Sequence, residues 1–131
     1  MTRGLSDRVR LLGYVEDMAE QFEQASIFVL SSRAEGFPMV LIEAMSKGLA
    51  VVSFDCPTGP ADIIDHGANG LLVPPGEIAG LADAIRELVH DAPKRRRLGA
   101  AAAELAQDFR MSRVGRLWED LTCPRRASNA C

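Results

Sequence analysis

The sequence has few aromatic residues and few cysteines, and both shortages narrow the functions open to it. Phenylalanine, tyrosine and tryptophan make up 5% of the chain, which leaves few rings to stack on nucleic-acid bases. The three cysteines are odd in number and show no metal-ligand spacing, which predicts a reduced, cytoplasmic setting. No apolar run approaches the length of a membrane span, and the amino end lacks a signal-peptide pattern.

Three common enzyme motifs are also missing. No G-x-G-x-x-G opens a helix, no G-x-x-x-x-G-K-[ST] occurs, and no H-E-x-x-H is present. Nicotinamide-dependent dehydrogenases, P-loop hydrolases and zinc peptidases are therefore excluded as interpretations. The chain has 131 residues, is 47% hydrophobic and 25% charged, and is long enough for one domain with its own core.

Charge is divided unevenly along the chain. Residues 1–90 carry six basic and 13 acidic side chains, a balance of −7, whereas residues 91–131 carry nine and five, a balance of +4. The basic excess begins at residues 94–97 and is compatible with a patch for nucleic acid or an anionic membrane. Because aromatic residues are few, we interpret it as a solvated helix face and a basic tail, and we predict no nucleic-acid partner.

Hydrophobic periodicity predicts alternating strands and helices. The predicted strands cover residues 9–12, 27–30, 51–54 and 71–73. The predicted helices cover residues 16–24, 39–47, 62–65, 77–90 and 93–108, with a last one capped by Ser112. This alternation implies an α/β fold, a parallel, doubly wound sheet flanked by helices. We expect one domain over residues 1–122 and a disordered tail over residues 123–131.

The most informative segment runs from Ser31 to Glu43. Glu35 follows the carboxyl end of the strand at 27–30. Glu43 lies one turn inside the next helix, and Pro38 suits the first turn of that helix. Ligands of open α/β sheets bind at that edge, and the free N–H groups of a helix start attract an anion such as a phosphate. Two carboxylates eight positions apart therefore mark a candidate site.

Each of these features has a plainer alternative. Glu43 has Lys47 at i+4, and such a surface pair is worth about 0.3 kcal/mol. Glu35 is otherwise an ordinary loop acid with Arg33 as its surface partner. The loop at residues 57–60 leaves the same sheet edge, so it either approaches the ligand or is a plain turn.

The run Glu35-Gly36-Phe37-Pro38, ending in Glu43, resembles the E-x7-E signature of retaining glycosyltransferases with the GT-B fold, family 4, the group 1 glycosyl transferases. The resemblance extends to D-R-V-R-L-L-G-Y-V at 7–15, A-V-V-S-F-D at 50–55, D-I-I at 62–64 and G-A-N-G-L-L-V-P-P-G at 67–76. These segments follow the family's order and cover about residues 7–122. Asp62 stands where the family usually has Glu.

The resemblance implies a role for each residue of the motif. The carboxylate that matches Glu35 contacts the transferred sugar near the reaction centre, which makes Glu35 the predicted catalytic residue. The carboxylate that matches Glu43 binds ribose hydroxyls of the nucleotide. The backbone N–H groups expected to meet sugar hydroxyls and phosphate oxygens belong to Gly36, Phe37, Met39 and Val40. The whole predicted donor-binding set is Glu35, Gly36, Phe37, Pro38, Met39, Val40 and Glu43. The family generally needs no metal ion, so we predict no metal and no cofactor beyond the donor substrate, a UDP- or GDP-sugar.

The resemblance also implies that the chain is the partial C-terminal, donor-binding domain of a GT-B fold, with about four strands and one exposed sheet edge. The acceptor-binding first domain, and the basic residues that neutralise the donor diphosphate, have no counterpart in this sequence. We therefore expect a hexosyltransferase fragment that is inactive alone. Its acceptor would be a glycan, a lipid or a small molecule held by the first domain, and peripheral membrane association of the full enzyme is left open. The alternative is a non-catalytic sugar-nucleotide-binding or interaction module.

Overall fold

The computed structural model describes residues 4–122 and consists of a three-stranded parallel sheet with helices on both faces. In chain order the elements are α1 (Met18–Gln24), β1 (Ile27–Leu30), α2 (Met39–Ser46), β2 (Ala50–Phe54), α3 (Pro60–Ile63), β3 (Leu71–Val73), α4 (Ile78–His90), α5 (Ala92–Ala106), a 3₁₀ turn (Gln107–Phe109) and α6 (Met111–Thr122). The predicted α/β class, with a parallel sheet flanked by helices, is confirmed. The tail predicted at residues 123–131 lies outside the described residues.

β2 is the central strand, and both of its neighbours run parallel to it. Ile27 lies opposite Ala50 on one side, and Val52 lies opposite Leu71 on the other. Every residue of β2 is buried, as expected for a parallel strand that is covered on both faces. All three strands therefore end at one edge of the sheet, and the loops that leave this edge lie side by side.

The strand predicted at residues 9–12 does not form. Residues 5–17 contain no helix or strand, and Leu11 and Tyr14 are 96% and 91% exposed. An apolar run becomes a strand only when a partner pairs with its backbone groups, and none of the described strands pairs with this one. The sheet thus has three strands rather than about four. No described strand pairs with the outer edge of β1 or with that of β3.

Capping explains where α1 begins. This helix starts at Met18 rather than at residue 16, because the Asp17 carboxylate accepts a hydrogen bond from the Ala19 N–H at 2.9 Å. α6 already begins at Met111, so Ser112 lies inside the helix and the predicted cap at Ser112 is wrong. The short helix after β2 spans Pro60–Ile63 rather than 62–65, since proline favours the first helical position.

The core has one cluster on each face of the sheet. On one face, Val51 packs with side chains of α1, α2 and α3. On the other face, Val52 and Phe54 pack with Leu88 of α4. α5 joins both clusters, because Leu98 belongs to the second and Ala102 to the first. Both faces of this small sheet are thereby removed from water, which is the main source of its stability.

Gly48 ends α2 and allows α5 to approach it. Its φ is +77°, its N–H donates to the Met45 carbonyl at 2.9 Å, and the Leu49 N–H donates to the Ala44 carbonyl at 3.3 Å. This is the Schellman pattern, so the predicted helix stop at Gly48 is confirmed. At the same place the backbone of α5 comes close to the Gly48 carbonyl at Gly99.

The basic run at residues 94–97 holds neighbouring elements together. Lys94 forms an ion pair with Glu87 of α4, and Arg95 donates to the Leu88 carbonyl at 2.7 Å. Arg97 donates to the Gly67 carbonyl at 3.3 Å. Three of the four side chains therefore contact other parts of the described fold, and the absence of a nucleic-acid partner stays a prediction. Over residues 4–122, no helix combines the length and the apolar character needed to cross a membrane.

Candidate functional site

The structure places the two carboxylates of the motif as predicted. Glu35 is half-buried in the loop between β1 and α2, beyond the carboxyl end of β1. Glu43 is the fifth residue of α2 and is exposed. Glu35 therefore lies at the edge of the sheet where all three strands end, and Glu43 lies one turn inside the helix that follows.

The structure does not contain the Glu43–Lys47 surface pair that was the alternative interpretation of Glu43. Lys47, its i+4 neighbour, instead pairs with Glu23 of α1, with Nζ and Oε1 2.9 Å apart. Within residues 4–122, no ion pair or side-chain hydrogen bond uses the Glu43 carboxylate. The carboxylate is exposed and available to a ligand.

Glu35 is held through its main chain rather than through its carboxylate. The Thr58 hydroxyl donates to the Glu35 carbonyl at 2.5 Å. The described residues show no ion pair between Arg33 and Glu35, so the surface pair considered for them does not form. The side chain of Glu35 is half-buried, and its contact with a ligand stays a prediction.

The loop after β2 packs directly onto the loop after β1. A Cβ atom added at Gly59 would lie 2.6 Å from Cδ of Pro38 and 3.3 Å from the Gly36 carbonyl oxygen. Gly59 has a φ of +121° and Thr58 a φ of +60°; the latter conformation costs a non-glycine residue about 1 kcal/mol. Such strain concentrates at functional sites. Residues 57–60 therefore contact the motif, while their approach to a ligand stays a prediction.

The amino end of α2 and the loop before it together offer three free amides rather than four. Pro38 is the N-cap, with φ −79° and ψ 80°, so the helix starts one residue later than Pro38 in the first turn would require. The Met39 N–H donates to the Phe37 carbonyl at 2.9 Å, and its part in donor binding stays a prediction. The N–H groups of Gly36, Phe37 and Val40 make no hydrogen bond among the described residues.

Phe37 is supported by a residue that sequence patterns did not single out. Its ring lies 5.9 Å from the Phe109 ring, centroid to centroid, at an interplanar angle of 47°. Phe109 belongs to the 3₁₀ turn between α5 and α6. No local signal could have identified Phe109, because the contact joins segments 72 residues apart and depends on how α5 packs.

A cleft lies at the same sheet edge, on the face covered by α4. Its volume is about 650 Å³. It is lined by Ser31, Ser32, Arg33, Phe54, Pro75, Gly76, Ile78 and Leu81. Neither carboxylate of the motif lines the cleft. The motif and the cleft are therefore two separate features of this sheet edge. Sequence reasoning did not find the cleft, because its walls come from three separate segments of the chain.

No cluster of three or more metal-binding side chains occurs within residues 4–122. The site therefore consists of two carboxylates, a helix start with three free amides, and the adjoining cleft. Carboxylates accept hydrogen bonds from hydroxyl groups, and helix-start amides donate to phosphate oxygens. Such a combination suits a ligand that carries both sugar hydroxyls and phosphates.

Comparison with solved structures defines the class of protein. The chain superimposes on the Anabaena protein HepE, solved in complex with UDP, with a TM-score of 0.82 and 31% sequence identity. The match covers 91% of this chain and 33% of HepE. The chain therefore has the Rossmann-like α/β fold found in part of a GT-B glycosyltransferase.

The family follows from the sequence itself. Residues 1–91 match the model of the family described as glycosyl transferases group 1. That match covers more than half of the chain, and the chain belongs to this family.

Two curated relatives contain a segment similar to this chain. The chain is 43% identical over 119 residues to an exopolysaccharide phosphotransferase of Streptomyces coelicolor, a match over 90% of this chain and 13% of the relative. It is 39% identical over 89 residues to the lipopolysaccharide 1,6-galactosyltransferase of Escherichia coli, over 65% of this chain and 25% of the relative. The chain thus spans a third or less of each protein it was compared with here.

Proposed function

We propose that this chain is the donor-binding part of a retaining family 4 hexosyltransferase, which moves a hexose from a UDP- or GDP-sugar to an acceptor. The observation that carries the proposal is the arrangement at the sheet edge: an exposed Glu43 and a half-buried Glu35 on either side of a helix start with free amides. The UDP complex of HepE and the galactosyltransferase relative support a nucleotide donor and a hexose.

In this proposal Glu43 binds the nucleoside. An exposed carboxylate with two oxygens can accept one hydrogen bond from each of two neighbouring ribose hydroxyls. Its position on the fifth residue of α2 keeps it on a rigid element, so little conformational entropy is lost when the nucleotide binds. The UDP complex of HepE favours uridine over guanosine as the first base to test.

The amides of Gly36, Phe37 and Val40 then face the diphosphate and the sugar hydroxyls. These N–H groups have no partner among the described residues, and a helix start carries a partial positive charge. When the sugar leaves, negative charge builds up on the nucleoside diphosphate. Fixed N–H dipoles stabilise that charge without having to reorganise.

Glu35 is the proposed catalytic residue, since it would contact the transferred sugar near the reaction centre. Its backbone is fixed by Thr58, while its carboxylate makes no ion pair within residues 4–122. The proposal needs no metal ion and no further cofactor. Cys56 is a free, buried thiol, and the proposal places the protein in a reduced, cytoplasmic setting.

We expect no transfer by this chain alone. The apolar side chains of Leu11 and Tyr14 and the outer edge of β1 lack cover within the described residues. The relatives are at least three times longer than the segment they share with this chain. An acceptor-binding domain, with a glycan, lipid or small-molecule acceptor, would therefore come from another part or another chain.

The alternative function is a sugar-nucleotide-binding or interaction module without turnover. The relative from Streptomyces coelicolor is named for phosphate transfer rather than sugar transfer, and this segment is 13% of it, so a similar segment occurs in a protein not named a glycosyltransferase. Release of UDP from UDP-glucose distinguishes the two functions. A transferase slowly transfers glucose to water or to an acceptor and releases UDP, whereas a binding module releases none. The assay needs the partner domain to be present.

The donor site is tested by titrating the 131-residue chain with UDP, GDP and their sugar conjugates in a calorimeter. We expect Glu43→Ala to weaken nucleotide binding at least about tenfold, or ~1.4 kcal/mol, because two hydrogen bonds to a charged group are lost. Glu35→Ala should have a smaller effect, since Glu35 faces the sugar rather than the nucleoside.

Glu104→Ala is the matched control, because Glu104 is an exposed acid on α5, outside the site. It should bind UDP as the unchanged chain does. Equal affinities for the unchanged chain, Glu35→Ala and Glu43→Ala would rule out the proposed donor site.

A further inference from the structure

We propose that Thr58 is a positioning residue for the donor diphosphate. Its hydroxyl fixes the direction of the Gly36 amide, and the loop at residues 57–60 turns that amide and the Phe37 amide to one side. This role rests on the proposed function, because it takes these two amides to bind the diphosphate. It goes beyond that function, since the segment that orients the amides lies outside the motif.

The first amide is oriented through the peptide group that joins Glu35 to Gly36. The Thr58 hydroxyl lies 2.5 Å from the Glu35 carbonyl oxygen and 2.7 Å from that of Pro57, so its proton is shared between the two loops. A trans peptide group is planar, and its C=O and N–H point in opposite directions. None of the described peptide bonds is cis. The Gly36 N–H therefore points away from Thr58, and turning it would break the hydrogen bond to Glu35.

The second amide is oriented by a packing contact. A Cβ added at Gly59 would lie 3.3 Å from the Gly36 carbonyl oxygen, which is the atom of that peptide group nearest to it. The N–H at the other end of the same peptide group belongs to Phe37 and points the opposite way. Gly59 is buried and has a φ of +121°, so a glycine is needed for this approach. Both carbonyls thus face the loop at residues 57–60, and both N–H groups face away from it.

Two successive amides that point to one side suit an anion. Gly36 and Phe37 are exposed, and within residues 4–122 their N–H groups donate no hydrogen bond. Successive backbone N–H groups in a turn form a concave anion-binding feature. The diphosphate is the part of a nucleotide sugar that carries negative charge, and N–H groups form their strongest hydrogen bonds with charged oxygens. The pair therefore matches the diphosphate.

Calorimetric titration of the 131-residue chain with UDP and with inorganic pyrophosphate tests the proposal. Pyrophosphate carries the diphosphate without a nucleoside, so its affinity reports on the amides apart from Glu43. Thr58→Val removes the hydroxyl and keeps the branched shape of the side chain. We expect it to weaken both probes about three- to tenfold, because one hydrogen bond to a charged group is misdirected. Thr58→Ser keeps the hydroxyl and should restore most of the affinity.

Ser46→Ala is the matched control. The Ser46 hydroxyl also donates to a main-chain carbonyl, that of Glu43 at 2.7 Å, but the N–H of that peptide group belongs to Ala44, inside α2. Its loss should leave both affinities unchanged. Thr58 and Ser46 are both exposed, so the variants should unfold at nearly the temperature of the unchanged chain, which circular dichroism would verify.

The direction of the amides can also be measured without a ligand. Residual dipolar couplings from NMR report the direction of each N–H bond in the folded chain. Thr58→Val should change the coupling of Gly36 and Thr58→Ser should preserve it, while the coupling of Ala44 should stay constant in both. Lower stability alone, in a chain that remains folded, would not turn one N–H bond. An unchanged Gly36 coupling in Thr58→Val would contradict the proposal.

Four results of the titrations would overturn it: no saturable binding of pyrophosphate by the unchanged chain, unchanged affinities in Thr58→Val, no recovery in Thr58→Ser, or an equal loss in Ser46→Ala. The donor site is judged separately, since Glu43→Ala should weaken the binding of UDP but not that of pyrophosphate. If Glu43→Ala binds UDP normally while Thr58→Val loses pyrophosphate, the donor proposal fails and the positioning of the amides remains.

Discussion

At Gly99 the backbone of α5 comes so close to the loop after α2 that no side chain fits. A Cβ atom there would overlap the carbonyl oxygen of Gly48 and lie 3.1 Å from its carbonyl carbon. Both atoms belong to the backbone, so neither can move without shifting α5 or the turn. We expect Gly99→Ala to lower the free energy of unfolding by at least about 2 kcal/mol, as overpacking does, in urea denaturation at 25 °C.

Gly115 provides the control for that substitution. It also lies within a helix, α6, but a Cβ added there meets no atom within 4 Å. Gly115→Ala should therefore show only the gain in helix propensity, about 0.5–1 kcal/mol of added stability. A Gly99→Ala protein as stable as Gly115→Ala would mean that α5 does not pack as closely as described.

Sequence patterns predict the positions of Glu35 and Glu43 because the strand, loop and helix that carry them are one continuous segment. The neighbours of these residues could not be predicted in the same way. Thr58 donates a hydrogen bond to the Glu35 carbonyl, 23 residues away in the chain, and Lys47 forms an ion pair with Glu23 rather than with its helical neighbour Glu43. Both contacts depend on how separate elements pack, which local residue spacing does not predict.

Among the elements, the 3₁₀ turn between α5 and α6 supports the loop of the candidate site through Phe109. Removing the ring in Phe109→Ala should loosen the turn around Phe37, whose amide is one of the three free donors. Aromatic pairs contribute about 0.5–1.5 kcal/mol beyond the area they bury. We therefore expect UDP affinity to fall about two- to tenfold, measured by calorimetry.

Two further variants separate this positioning effect from general destabilisation. Phe109→Leu keeps an apolar side chain in place and should recover part of the affinity. Leu117→Ala removes an exposed side chain of α6, which is 57% accessible, and should leave UDP binding unchanged. Unaltered UDP affinity in a folded Phe109→Ala protein would show that the ring contact does not support the donor loop.

Residues 9–12 show why a strand that the sequence predicts can fail to form. Its residues alternate suitably and lie in a segment that resembles a strand of the family. These residues lack a partner strand among the described strands, and a strand needs one because its backbone groups must donate and accept hydrogen bonds. β1, β2 and β3 meet this requirement for one another. Boundaries such as that of α1 depend instead on one side chain, the cap at Asp17.

At the scale of the whole molecule, the described fold leaves one side without cover. The outer edge of β1 pairs with no described strand. The segment before it exposes apolar side chains that a finished domain would bury: Leu5, Val9, Leu11, Leu12 and Tyr14. Unpaired strand edges and contiguous apolar patches are the features through which chains associate. The same side would receive the rest of a longer GT-B protein.

We therefore expect the 131-residue chain to self-associate as its concentration rises, which sedimentation velocity would measure. Leu11→Lys combined with Tyr14→Lys should reduce the association, because each change places a charge on a side chain that is at least nine-tenths exposed and costs the fold little. Gln24→Lys and Ala82→Lys, at exposed sites on α1 and α4, add the same two charges and should leave the association unchanged. A chain that stays monomeric at all concentrations would show that its exposed side does not act as an interface.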